Sequence, residues 1–254
     1  IELALAFPTA KIIAVSPEEQ RAAVGLGFGK SRVTLIPNGV GKIRLTPRVE
    51  ARRTMGVADD DIVIGFVGRL VEQKAPEVLI ESFASTYKAC DKARLALVGG
   101  GPLEPEMRAL ASTLGVLDKI IWLGERDARG LLAGFDLFAL SSRKEGLPYV
   151  VLEAMAAGLP VVATSSAGSE ILVIPGVNGD VVPAENVPAF AKALTDLVMS
   201  PEKLARCGQA SLERVRAFSI DAMVESTLAC YRSVIPSGRA QADGKSMNAV
   251  RECQ

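Results

Sequence analysis

Apolar residues in this chain come in short unbroken runs separated by amphipathic stretches, the pattern of strands buried on both faces alternating with helices that cover them. The clearest run is Ile62-Val-Ile-Gly-Phe-Val67, bounded by Asp59-Asp-Asp61 and Gly68. Further runs at 93–98, 119–123, 136–140 and 160–164, with a short one at 179–182, bring the predicted strands to six. Helices are expected at 48–56, 76–88, 104–114 and 128–134. Another should start with Pro148, whose preset φ suits a first helical position, and stop before Gly158 and Pro160. Strands joined by helical crossovers predict a doubly wound, three-layer α/β fold with a parallel six-stranded sheet.

Upstream, strand-like segments at 11–16 and 32–36 flank a short helix at 17–25 capped by Ser16, a separate β-α-β unit that ends at Pro37-Asn-Gly39. Downstream the pattern is helical. Val187, Phe190, Ala191, Leu194 and Val198 form one face of a helix over 186–199, and helices at 201–217 and, capped by Ser219, at 220–235 follow. Residues 236–254 are polar and aperiodic and are expected to be disordered. Ile1 is not an initiator methionine, and the chain reads as a piece of something longer.

The 254 residues are 49% hydrophobic, enough for one large domain or a little more. Basic and acidic residues balance at 29 each, so no charge excess points to nucleic acid or an anionic membrane. No run reaches the roughly 18 apolar residues of a transmembrane helix, and a cytoplasmic location is expected. Cys90, Cys207, Cys230 and Cys253 are scattered singly and histidine is absent, which disfavours a structural zinc site and removes histidine-based catalysis.

Two carboxylates frame the stretch Glu145-Gly-Leu-Pro-Tyr-Val-Val-Leu-Glu153. Glu145 falls in the loop after the strand at 136–140 and Glu153 on the helix that follows, at the sheet edge where open α/β folds bind ligands. Unpaired N–H groups of a first helical turn suit a phosphate, and the carboxylates could accept hydrogen bonds from hydroxyls on either side, a sugar and a ribose. The plainer alternative is a solvated loop acid and a helix acid favoured by the dipole. Arg69 and Lys74, in the loop after Val67, could grip a diphosphate or be solvated surface charges. Val98-Gly-Gly-Gly-Pro102 is glycine-rich, but Glu104 stands at the third glycine of a dinucleotide fingerprint, which argues against nicotinamide or flavin. Glu125 and Arg126 leave the next strand at the same edge, and Glu170, after the strand at 160–164, is equally a helix-cap residue or a ligand.

The Glu145 and Glu153 pair, with Gly-Leu-Pro after the first and Ala-Met-Ala-Ala-Gly158-Leu-Pro-Val-Val after the second, resembles the signature of the retaining group 1 glycosyltransferases, which have the GT-B fold. Val67-Gly-Arg-Leu70 with Gln73-Lys74 is similar to that family's phosphate-binding loop, except that Ala75 stands where glycine is usual. Gly99-x-Gly101-Pro resembles the loop that lines the donor cleft, and Pro37-Asn-Gly-Val40 the passage that closes the N-terminal, acceptor-binding domain. The resemblance runs from Lys11 to Tyr231. It implies a catalytic set of Arg69 and Lys74 on a diphosphate and Glu145 on the donor sugar. Substrate binding would add Glu153 on the ribose, Gly68, Gly99 and Gly101 in the cleft, and Glu125 and Arg126 near the base. Gly146, Leu147, Pro148, Tyr149 and Val150 would meet sugar and phosphate.

The resemblance further implies a remnant of the acceptor domain at 1–43, a Rossmann-like donor domain at 44–235, and a final helix, ending near Tyr231, that braces the former. The implied reaction moves a sugar from a nucleotide diphosphate to a glycan or lipid-linked acceptor with retained configuration, without metal or cofactor. The N-terminal domain of the same chain would be the main partner, and bare apolar surface in its absence predicts self-association. Paired carboxylates also suit a glycosidase, but cations directed at phosphate speak against it. A sugar-nucleotide epimerase of similar fold would use histidines, which this chain lacks, whereas a stand-alone nucleotide-sugar-binding module remains open.

Overall fold

The computed structural model describes residues 9–235 apart from Ala167, so the expected disordered tail at 236–254 lies outside the described residues. Strands β1 (Ile12–Ala14) and β2 (Val33–Leu35) pair in parallel as a small sheet of their own, with helix α1 (Pro17–Gly25) between them. Ser16 Oγ accepts from Glu19 N at 3.2 Å and the Glu19 carboxylate returns to Val15 N at 3.0 Å, which satisfies donors at the start of α1.

The main sheet comprises β3 (Ile62–Val67), β4 (Ala93–Val98), β5 (Ile120–Trp122), β6 (Leu137–Leu140), β7 (Val161–Thr164) and β8 (Gly179–Val182). All neighbours are parallel, in the order β5-β4-β3-β6-β7-β8. Every residue of β6 and β7 is buried, as coverage of both faces requires. The helices are α2 (Arg48–Met55), α3 (Pro76–Ala89), α4 (Glu104–Thr113), α5 (Tyr149–Ala156), α6 (Ser169–Leu172), α7 (Val187–Val198), α8 (Pro201–Val215) and α9 (Ile220–Arg232). Helix α3 packs against α4 and α7, and α5 against α8. Phe66, Phe83, Phe138 and Phe190 are fully buried in the resulting core, each contributing about 1.5–3 kcal/mol by leaving water.

The winding starts at β3, runs outward to β5, then begins again at β6 on the other side of β3. Crossovers on the two sides lie on opposite faces, so the loops after β3 and β6 part at adjacent strand ends and leave a crevice. The amino ends of β3 and β6 are anchored by Arg52. Its guanidinium, 3% exposed, donates to Ala58 O (2.5 Å), Asp61 O (2.6 Å), Gly134 O (3.2 Å) and Asp136 Oδ2 (3.3 Å). Asp136 in turn accepts from Val63 N at 2.7 Å.

Two expectations need correction, and a third residue is located. The helix at 128–134 is a pair of 3₁₀ turns, Ala128–Gly130 and Leu132–Gly134, whose closing carbonyls of Ala133 and Gly134 are taken by Arg48 and Arg52 instead of continuing a helix. Pro148 is the N-cap of α5, not its first residue, because its ψ of 118° is extended. Glu170 lies in the first turn of α6, a helix of four residues, too short to show a periodicity.

The β1-α1-β2 unit is tied to the main domain at its end. Asn38 Nδ2 donates to Leu147 O at 2.7 Å, Gly39 N to Met223 Sδ at 3.2 Å, and Val40 bridges in parallel to Ser219. The final helix thus meets the N-terminal residues through its first turn, while Tyr231 is exposed.

Candidate functional site

The loops after β3 and β6 are zipped together along the crevice. Arg143 N donates to Gln73 O at 2.8 Å and Gln73 Nε2 to Lys144 O at 2.9 Å. This registers Lys74 Nζ 2.5 Å from Glu145 Oε1, an ion pair whose members are only 19% and 9% exposed. The structure therefore brings these two expected residues together, but in mutual contact. Arg69, in the same loop as Lys74, is exposed, and its guanidinium has no hydrogen-bond partner among the described residues. Ala75, the departure from the family pattern, has left-handed backbone with φ 45° and ψ 54°.

The glycines of the β4 loop have a packing reason to be there. Gly68 N donates to Val98 O, Leu70 N to Gly100 O and Gly99 N to Gly124 O, all at 2.9 Å, stitching three neighbouring loops by their main chains. A Cβ at Gly99 would fall 2.0 Å from Gly68 O and one at Gly101 2.4 Å from Leu70 O, so only glycine permits the approach. Glu125 and Arg126 stand on the β5 loop as exposed side chains without hydrogen-bond partners among the described residues.

At the start of α5, Val151 N and Leu152 N both turn to Pro148 O, whereas Tyr149 N and Val150 N have no acceptor among the described residues. These are the open donors of a helix N-terminus. Leu147 is buried, and its carbonyl is already held by Asn38. Gly146 is confined on both sides: a Cβ on it would lie 2.6 Å from Glu19 Oε1, and one on Gly168 would lie 2.1 Å from Gly146 O. The exposed Tyr149 ring reaches Met223 Sδ with its hydroxyl at 3.9 Å.

Glu153, inside α5, lines a cavity of about 560 Å³ together with Lys42, Arg44, Thr46, Asp127 and Arg129. Desolvation raises its carboxyl above the ordinary range; the Arg129 charge opposes that and the Asp127 charge adds to it. Asp127 and Arg129 pair with each other at 2.9 Å. Glu145 and Gly146 line a second cavity, of about 250 Å³, with Gln73, Glu18 and Glu19. Of the expected residues, Glu153 thus lines the first cavity and Glu145 and Gly146 the second, while Arg69, Lys74, Glu125 and Arg126 line neither. Lys42, Arg44, Asp127 and Arg129 escaped the sequence reading, since a turn and a linker carry no periodic signal.

A doubly wound parallel sheet with cations, carboxylates and open helix amides at its switch point defines a Rossmann-like domain. The model of the family "Glycosyl transferases group 1" matches residues 48–214, and the chain belongs to that family. It is 34% identical over 236 residues to the D-inositol 3-phosphate glycosyltransferase of Actinosynnema mirum, covering 87% of this chain and 57% of that one. It is 32% identical to the GDP-mannose-dependent alpha-(1-6)-phosphatidylinositol monomannoside mannosyltransferase of Mycolicibacterium smegmatis, over 87% of this chain and 61% of that one. Anabaena Alr3699/HepE, solved in complex with UDP-glucose, superposes with a TM-score of 0.82 at 25% identity, covering 89% of this chain and 64% of its own. The architecture is that of the GT-B glycosyltransferases, and the chain spans 57–61% of the length of these two relatives. Among the described residues no helix is long and apolar enough to cross a membrane.

Proposed function

We propose that this chain binds a nucleoside diphosphate sugar and forms the donor side of a retaining glycosyltransferase acting on a glycan or lipid-linked acceptor. The observation that carries this reading is the Lys74–Glu145 pair in the crevice between the β3 and β6 loops, with Arg69 in the same loop as Lys74 and without a side-chain partner among the described residues. A diphosphate entering there would take Lys74 as its partner and release Glu145 to accept hydrogen bonds from the donor sugar. As the glycosidic bond breaks, negative charge on the leaving diphosphate would be met by Lys74, Arg69 and the N–H groups of Tyr149 and Val150. The acceptor hydroxyl would attack the anomeric carbon from the side of the departing phosphate, which takes its proton, so configuration is retained without a nucleophilic side chain. The reading calls for no metal ion or cofactor.

Glu153 would hold the ribose at the 560 Å³ cavity. The relatives support the class of donor: one is named for GDP-mannose and a structural neighbour was solved with UDP-glucose. Residues 9–43 would belong to the edge of an acceptor-binding domain, which the separate β1-β2 sheet supports. Acceptor binding would then fall to the part of the relatives that this chain does not span. Titration calorimetry with UDP, GDP, UDP-glucose and GDP-mannose tests the reading. At least one diphosphate should bind, and Lys74→Ala should weaken it far more than the matching monophosphate; equal weakening, or no binding at all, would overturn it.

A further inference from the structure

We propose that Ser141 and Arg143 are positioning residues that hold the backbone around Lys74 in a strained turn and thereby set its ammonium against Glu145. Ala75 and Glu185 are the only non-glycine residues with positive φ among the described residues, at 45° and 60°. Left-handed backbone is unfavourable for any residue with a Cβ, and Pro76 restricts Ala75 further. Such conformations persist where their surroundings over-determine them. Both residues are held from one short segment at the end of β6.

The buried Ser141 hydroxyl lies 2.9 Å from Lys74 O and 2.9 Å from Ala75 O, sharing its proton between the two carbonyls on either side of the strain. No other donor reaches either oxygen among the described residues. Arg143 then brackets the same turn. Its Nη2 donates to Glu77 Oε1 at 2.5 Å, its Nη1 to Glu72 O, and its Nε to Glu185 Oε1 at 2.7 Å. With Arg143 N on Gln73 O, residues before and after Lys74 are tied to the loop that carries Glu145. A turn held at this many points serves placement of the side chain it carries. A glycine at 75 would adopt the same turn without support.

The inference rests on the diphosphate reading above, so the experiment separates the two. UDP, UMP, GDP and GMP are titrated into the wild type, Lys74→Ala, Ser141→Ala, Ala75→Gly and the Ser141→Ala/Ala75→Gly double variant. Ser141→Ala should lose about ten-fold in diphosphate affinity with the monophosphate nearly unchanged, and Ala75→Gly should restore most of that loss. If Lys74→Ala lowers the diphosphate-to-monophosphate ratio while Ser141→Ala does not, the positioning role is wrong and the binding reading stands. If Lys74→Ala leaves the ratio alone, the binding reading fails. A second measurement needs no ligand. The coupling between Lys74 and Glu145, from urea unfolding of the two single variants and their double, should collapse when repeated with Ser141→Ala. Undiminished coupling would overturn the proposal whatever the nucleotides do.

Discussion

Lys74 Nζ and Glu145 Oε1 stand 2.5 Å apart although 71 residues separate them in the chain. The contact ties together the two loops that part at the topological switch point, and each side chain is the other's ion-pair partner. Lys74→Ala leaves a 9%-exposed carboxylate without its partner and should destabilise by about 1–3 kcal/mol in urea unfolding. Glu145→Ala releases the ammonium instead. Diphosphate affinity should then stay at or above the wild-type level while sugar-nucleotide affinity falls, as calorimetry would show.

Glu153 is predicted to oppose folding at neutral pH. Burial raises its carboxyl above the ordinary glutamate value, so the native chain keeps a proton that the unfolded chain has released. The stabilising contribution is therefore present below that value and lost as pH rises through the raised one. Glu153→Gln should leave stability at pH 7 equal or higher, and the difference should vanish toward pH 4, measured by thermal unfolding across pH. Nucleotide affinity should show the reverse, falling about ten- to a hundred-fold in Glu153→Ala for diphosphate and monophosphate alike.

Arg52 should be among the least replaceable side chains outside the site. Arg52→Ala withdraws donors from three backbone carbonyls and from Asp136 in a buried setting. A loss of about 3–5 kcal/mol is expected from the urea midpoint and slope.

Gly99→Ala distinguishes packing from direct ligand contact at the β4 loop. With φ 129° and a Cβ that would sit 2.0 Å from Gly68 O, the alanine must push the two loops apart. Overpacking of this kind costs about 1–3 kcal/mol, and the loss should appear in unfolding experiments without any nucleotide.

Much of the fold was legible because a parallel strand covered on both faces has to be apolar throughout. The run at Ile62–Val67 coincides with a strand to the residue, as do the segments Ala93–Val98 and, at the sheet edge and with Asp180 in it, Gly179–Val182. Helix α6 and the turns at 128–134 were not legible, since four-residue segments have no period and long-range arginine contacts decided how the latter close. In the site, Arg69, Lys74, Glu145 and Glu153 could be named from spacing and family pattern, while Lys42, Arg44, Asp127 and Arg129 beside Glu153 could not.

By itself the sequence determined which segments are strands, that Ser16 and Ser219 cap helices, and that Arg69, Lys74 and Glu145 lie in loops at the carboxyl edge. These follow from local spacing and capping chemistry, which act over a few residues. Only the tertiary structure decided that β6 returns beside β3, and hence that Lys74 meets Glu145 instead of standing free. It alone showed that Ala75 is left-handed and that Ser141 and Arg143 hold it there. Strand order and side-chain contact are set by the burial of the whole core, and residues as distant as Gln73 and Arg143 become neighbours only once it forms.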